Sequence, residues 1–310
     1  MAKHFLHYRF LHYLRPSLWA SRLAVYGHGR VWQEIGYRAG RSRWAEVGAA
    51  VAFLWLLGLL GLGFVLLHLD QIYGLPGAIV GPAHLLTATL AMADSSPSGA
   101  PPGLALLGVI GLGSWLCLGI GTQKLVQLVA AVYGGGSPPI ADWRMRLLPW
   151  GLTVLNLGIA GLVFVLIGGG AGVARPGLAR WLGLIGRLGL ALGLVALALA
   201  LVYRLIPRRW VSGQPLWPGV SLALVLGLGL LGLRHWGLSL VTRPDLAYTM
   251  LLVLGANLLT LYLLILLVPT GAQINLSTLR HRGWPRRPSR APAAAPPPPS
   301  FDSFKIKRRD

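Results

Sequence analysis

Acidic side chains are nearly missing from this sequence: its 310 residues hold eight Asp and Glu, spread singly at positions 34, 46, 70, 94, 142, 245, 302 and 310. Carboxylate-pair and metal-assisted chemistry need ionisable or ligating groups in clusters, and none forms here. The eight histidines are equally scattered, no His-Glu-x-x-His occurs, and no serine occupies a Gly-x-Ser-x-Gly elbow. Cysteine is reduced to Cys117, alone inside an apolar block, which excludes a disulfide framework and a thiol metal site. No catalytic residue, metal site or cofactor is expected, and the chain is not expected to be an enzyme. Proton transport through a buried acid lacks its acid as well. Charge of any sign is scarce, at 12% of residues, about half of what soluble domains carry.

What the sequence has instead is apolar bulk, 55% of residues, gathered into long blocks rather than the short periodic stripes of soluble cores. A bilayer core of about 30 Å takes roughly 20 helical residues to cross. Six blocks qualify, at residues 47–69, 103–132, 147–171, 181–206, 217–241 and 246–268. The expectation is an all-α, polytopic transmembrane helix bundle of six spans.

The net charge of +20 raises nucleic-acid binding, but no recognition module accompanies it and no nucleic acid is expected. The 28 Lys and Arg lie mostly between the blocks and alternate by side. Residues 1–46 carry eight, 70–102 none, and the tail beyond 268 nine, while Lys124, Arg144, Arg146, Arg204, Arg208 and Arg209 flank alternate turns. Arg175, Arg180 and Arg243 fall on the other side. Basic residues are retained in the cytoplasm, so both termini are expected there. The natural partner of such flanks is anionic lipid headgroups, at about 1 kcal/mol per basic residue. The N-terminal stretch lacks the apolar core and small-residue site of a cleaved signal peptide, and none is expected.

Three regions follow: a basic, aromatic, interfacial cytoplasmic segment over 1–46, a transmembrane domain over 47–275, and a basic Pro-rich tail over 276–310. The tail's run of Pro, Ala and Arg at 283–300 is expected to be disordered. Residues 4–13 repeat Phe-Leu-His-Tyr and read as an interfacial belt. The apolar stretch 83–92 is too short to span and reads as a re-entrant or surface helix.

Polar residues inside the blocks are the candidates for function. Arg187 and Arg234 each lie near the outer end of a block, Arg187 roughly 9 Å in at the helical rise. Two readings are open. Both can snorkel outward, or, with His235 and Arg243, they line an outward cavity that binds an anion such as a lipid phosphate. The sixth block carries Asn257, Thr260 and Tyr262, then Pro269, Gly271, Gln273 and Asn275, which read either as interhelical glue or as the lining of a pathway. Gly186, Gly189 and Gly193 share a helical face and read as packing surface.

The motif Leu261-Tyr262 followed by Pro269-Thr270-Gly271-Ala272-Gln273-Ile274-Asn275 resembles the closing signature of the bacterial BrkB/YihY family of inner-membrane proteins. Tyr203-Arg204-Leu205-Ile206-Pro207, Pro218-Gly219, Val132-Tyr133-Gly134 with Trp143-Arg144, and residues 49–53 resemble further family elements in order and spacing. Three features depart from it: Gln273 stands where the family has Glu, a Ser-Leu-x-Pro after Phe53 is missing, and the outer loop is short. The resemblance implies a multi-pass protein of the bacterial inner membrane, N-in and C-in, with an envelope role and lipid movement as the expected activity. The ribonuclease activity once attached to the family would need cytoplasmic metal-binding acids or histidines, which this sequence does not provide. The expected function is transport or flipping of an anionic envelope lipid or similar amphiphile. The alternative is a non-catalytic scaffold or assembly subunit with a membrane-protein partner.

Overall fold

The computed structural model describes residues 26–27, 29–74, 103–133, 143–168, 178–206, 215–240 and 246–281, with the backbone alone for 143–145, 167–168, 178–181, 246–250 and 279–281. Among these residues there are seven helices and no strand: α1 (Gly29–Arg41), α2 (Trp44–Tyr73), α3 (Leu104–Val132), α4 (Trp143–Gly168), α5 (Leu178–Leu205), α6 (Trp217–Ser239) and α7 (Leu246–His281). Helices α2 to α7 are long and apolar enough to cross a membrane. A helix satisfies its own backbone hydrogen bonds in lipid, which is why Leu-rich and Ala-rich blocks of this length fold this way. The protein is a multi-pass α-helical membrane protein, as expected from its apolar blocks.

Two elements differ from expectation. Helix α7 continues through Pro269 to His281, past the block edge at 268 and past the domain boundary expected at 275. Its last turns are polar, and protein encloses them: residues 271–275, 277 and 278 are all buried. The segment 1–46, expected as a basic, aromatic, interfacial segment, contains α1, whose Val31 and Ile35 stand one turn apart and are buried against the bundle. Between α1 and α2 the chain turns at Arg43, whose φ of 50° is the left-handed region. Pro207, Arg243 and the stretches 4–13, 83–92 and 283–300 lie outside the described residues.

The buried core occupies one end of the bundle. Its members come from the start of α2 (Val51, Ala52), the end of α3 (Val129), the start of α4 (Leu152), the end of α5 (Tyr203), the start of α6 (Val220) and the end of α7 (Ile274). That alternation is the signature of antiparallel neighbours meeting at a shared end. In the opposite half, large apolar side chains face outward, among them Ile185 (63% exposed), Leu233 (60%) and Leu251 (74%). Packing is most extensive between α2 and α3 and between α6 and α7, and α2 closes on α7. The seam between α5 and α6 is the sparsest between consecutive spanning helices.

Lipid tails are as apolar as leucine, so helices in a bilayer associate through close packing and interhelical hydrogen bonds. Gly58 and Gly61 of α2 admit Ser114 and Leu118 of α3, Gly121 admits Trp55, and Gly119 lies under the Trp150 ring of α4. Thr153 donates a 2.9 Å hydrogen bond to Thr122, tying α4 to α3. Gly186, Gly189 and Gly193, expected as packing surface, leave open space where a side chain would stand, with no other helix against them among the described residues.

This contrast is measurable. Gly119→Ala drives a methyl into the Trp150 indole and should cost about 1–3 kcal/mol as an overpacked site. Gly186→Ala should be neutral or stabilising by up to about 1 kcal/mol, because a helical glycine carries an entropic cost and nothing here obstructs the methyl. Unfolding in detergent, followed by circular dichroism, checks both.

Candidate functional site

Two polar constellations stand out, one at the packed end and one in the open half. The first surrounds the last turns of α7, where Gln273 and Asn275 are fully buried. Helix α6 has Leu216 at its N-cap, which offers no capping oxygen and makes no side-chain cap bond. The deficit is met from another helix, because the Gly219 N–H donates to Asn275 Oδ1 at 2.7 Å. Pro218, in the first turn, needs no acceptor for an N–H it lacks. Its carbonyl accepts the Tyr26 hydroxyl at 2.7 Å.

The contact between α6 and α7 is backbone to backbone. A Cβ on Gly219 would collide with the Gly271 carbonyl, and one on Gly271 would strike the Tyr203 hydroxyl and lie 2.8 Å from the Gly219 carbonyl. Tyr203, buried on α5, donates to the Val268 carbonyl at 3.0 Å. Tyr203, Gly219, Gly271 and Asn275 thus form one clamp joining α5, α6 and α7, with Pro218 tied to Tyr26 beside it and Ala272 buried in the same turn of α7 as Gly271. Tyr262 stands apart from it, packed against Gly48 of α2. Arg38 of α1 closes the same end by donating to the Val132 carbonyl at 3.2 Å while paired with Glu34.

Several polar atoms enclosed here have no hydrogen-bond partner among the described residues: Oε1 and Nε2 of Gln273, Nδ2 of Asn275, the Tyr133 hydroxyl and Ser277 Oγ. Tyr133 directly follows the last residue of α3. Burial pushes its phenol up to about 12, and the nearby Asn275 amide lowers it in part without completing a hydrogen bond. Tyr133 is therefore a neutral hydroxyl at any ordinary pH.

The second constellation is Arg234 with Asn257. Arg234 Nη2 of α6 donates to Asn257 Oδ1 of α7 at 2.6 Å, and its Nε is enclosed without a partner. The guanidinium is directed to the neighbouring helix. The other expected anion ligands do not join this network. Arg187 is half-buried on α5 and has no hydrogen-bond or ion-pair partner among the described residues, His235 is exposed on α6, and Arg243 lies outside the described residues. Thr260 bonds back to the Ala256 carbonyl of its own helix at 2.6 Å.

Sequence reasoning missed the partnership of Arg234 with Asn257, the Tyr26 tie and the role of Tyr133. The first had a signal, two isolated polar residues in consecutive spans at similar depth. Tyr133 stood in the Val132-Tyr133-Gly134 element without an indicated role, and Tyr26 had no signal, since it sits in an ordinary aromatic and basic flank. Comparison with protein-family models, with curated proteins and with solved structures gives no match.

Removing the clamp's parts should cost unequally. Tyr203→Phe loses one hydrogen bond, about 0.5–1.5 kcal/mol. Asn275→Leu leaves the buried Gly219 N–H without an acceptor and forces branched bulk against the glycine contact, about 1–3 kcal/mol or more. Detergent unfolding midpoints should fall in that order.

Proposed function

We propose that the chain is a BrkB/YihY-type protein of a bacterial inner membrane, with both termini cytoplasmic, that moves an anionic envelope lipid between leaflets. The observation that carries this reading is the unneutralised cation at Arg234. Among the described residues the ion pairs are Arg38 with Glu34 and Arg43 with Glu46, both at the packed end. Asn257 orients the guanidinium through a neutral oxygen and leaves its charge uncompensated. A charge in an apolar medium is costly unless paired, so a phosphate group arriving there meets a prepared partner with the enclosed Nε still to be satisfied. The seam between α5, which carries Arg187, and α6, which carries Arg234, is the sparsest between consecutive spanning helices, and it is the side from which this reading has the lipid enter. The basic flanks support an orientation that puts the packed end, with α1, on the cytoplasmic side.

A different observation favours a non-catalytic scaffold or assembly subunit. Gly183, Gly186, Gly189 and Gly193 leave one run of α5 open, and small residues of this kind let a partner helix pack closely.

Vesicles reconstituted with the Arg187→Gln/Arg234→Gln variant separate the two. Hydrogen bonds to a charged group contribute about 1.5–3 kcal/mol, so translocation of a fluorescent anionic phospholipid should fall by about tenfold or more. The unfolding midpoint should change little. An unaltered rate would remove the arginines from the mechanism and leave the scaffold reading.

A further inference from the structure

Gln273 is fully enclosed, and neither its Oε1 nor its Nε2 has a partner. Ser277, one turn further along the same face, is 2% exposed with an unpartnered hydroxyl. Neither residue takes part in the clamp, which uses Gly271 and Asn275. One and two turns before Gln273 the face continues through Pro269 to Ile265. Pro269 has no N–H, so the Ile265 carbonyl is without its helical donor. A polar strip therefore runs along the innermost part of α7. Enclosed polar groups without partners are costly, and a position serving the fold alone is better filled by Leu or Met. Unmet demand of this kind marks a place where something else binds.

We propose that Gln273 and Ser277 form an inner polar station that reads hydroxyl groups, so that the lipid moved is an anionic phospholipid whose headgroup carries hydroxyls and no ammonium. The inference rests on the lipid-moving reading above and names its substrate class. A primary amide and a serine hydroxyl each donate and accept, which matches an alcohol group that does both. The phosphate charge is met at a different point of the route, at Arg234 in the opposite half of the bundle. An ammonium headgroup only donates and needs a carboxylate beside it. The only carboxylates on the spanning helices, Glu46 and Asp70, stand near opposite ends of α2. A bare phosphate monoester lacks the alcohol, and a site built to hydrogen-bond a hydroxyl discriminates strongly against an analogue without one.

The test uses the full chain in vesicles carrying fluorescent phosphatidylglycerol, phosphatidate or phosphatidylserine. The wild type should move phosphatidylglycerol at least about tenfold faster than the other two, in the range a missing hydroxyl contact supports. Gln273→Met, which keeps the volume, should abolish that preference with an unfolding midpoint no lower than wild type. Equal rates for the three lipids, or a preference that survives Gln273→Met as it would if only water occupied the station, overturns the proposal. A lowered midpoint also overturns it by making Gln273 structural. Should Gln273→Met fail to fold, Ser277→Ala, a smaller change, is read by the same criterion of lost or kept preference. A wild type that moves no anionic lipid sinks the functional reading itself, whereas one that moves all three alike sinks only the hydroxyl station.

Discussion

The hydrogen bond from the Gly219 N–H to Asn275 Oδ1, with the glycine contact that makes it reachable, is the constraint on which the packed end depends. An N-terminus with Leu216 at its cap and Pro218 in its first turn cannot satisfy its own backbone in an apolar setting. It has to be brought against an acceptor on another element. Asn275 can serve only because Gly219 and Gly271 remove the side chains that would hold α6 and α7 apart. That approach also sets the room for Tyr203, whose hydroxyl fills the space beside Gly271 and reaches the Val268 carbonyl. Three helices are thereby located by groups that carry no net charge.

The same economy does not extend to the other half of the bundle. There the apolar side chains of α5 and α6 face outward, the α5 glycines meet no neighbour, and the seam between these helices is sparse. In a bilayer exposed leucines carry no penalty, since the tails around them are equally apolar. Loose packing there costs dispersion contacts rather than hydration. A bundle held at one end and open at the other is stable on those terms, and Arg234 lies in the open part, fixed by Asn257 rather than by an acid.

The six spans were legible because unbroken apolar blocks of this length fit little besides a bilayer. The last turns of α7 were not, because they carry Gln273, Asn275, Ser277 and Thr278, which protein buries, so the apolar block ends where the helix is firmly held. Helix α1 was hidden for a related reason: the buried pair Val31 and Ile35 is surrounded by basic and aromatic residues that suggest a membrane surface. The motif residues Gly219, Gly271 and Asn275 were legible as a set, but their joint role as a clamp was not, since a helix capped in trans leaves no local pattern. Arg187 and Arg234 looked alike in sequence and differ in structure. Whether a charge meets a polar neighbour depends on helix rotation and on which spans adjoin, neither of which an isolated arginine encodes.

Charge accounting joins these observations. Position 273, where the resemblance leads one to look for Glu, carries an amide in full enclosure. A carboxylate there would add a large desolvation penalty and have no cation bonded to it, whereas the amide keeps the shape and remains neutral. The spanning helices thus hold carboxylates only near the two ends of α2, while Arg234 keeps a positive charge inside the bundle. Among the described residues no carboxylate bonds Arg234. A ligand that brings negative charge to it stabilises the folded state in proportion to its occupancy. On the proposed reading, relief of the cost of Arg234 would contribute to binding of an anionic ligand.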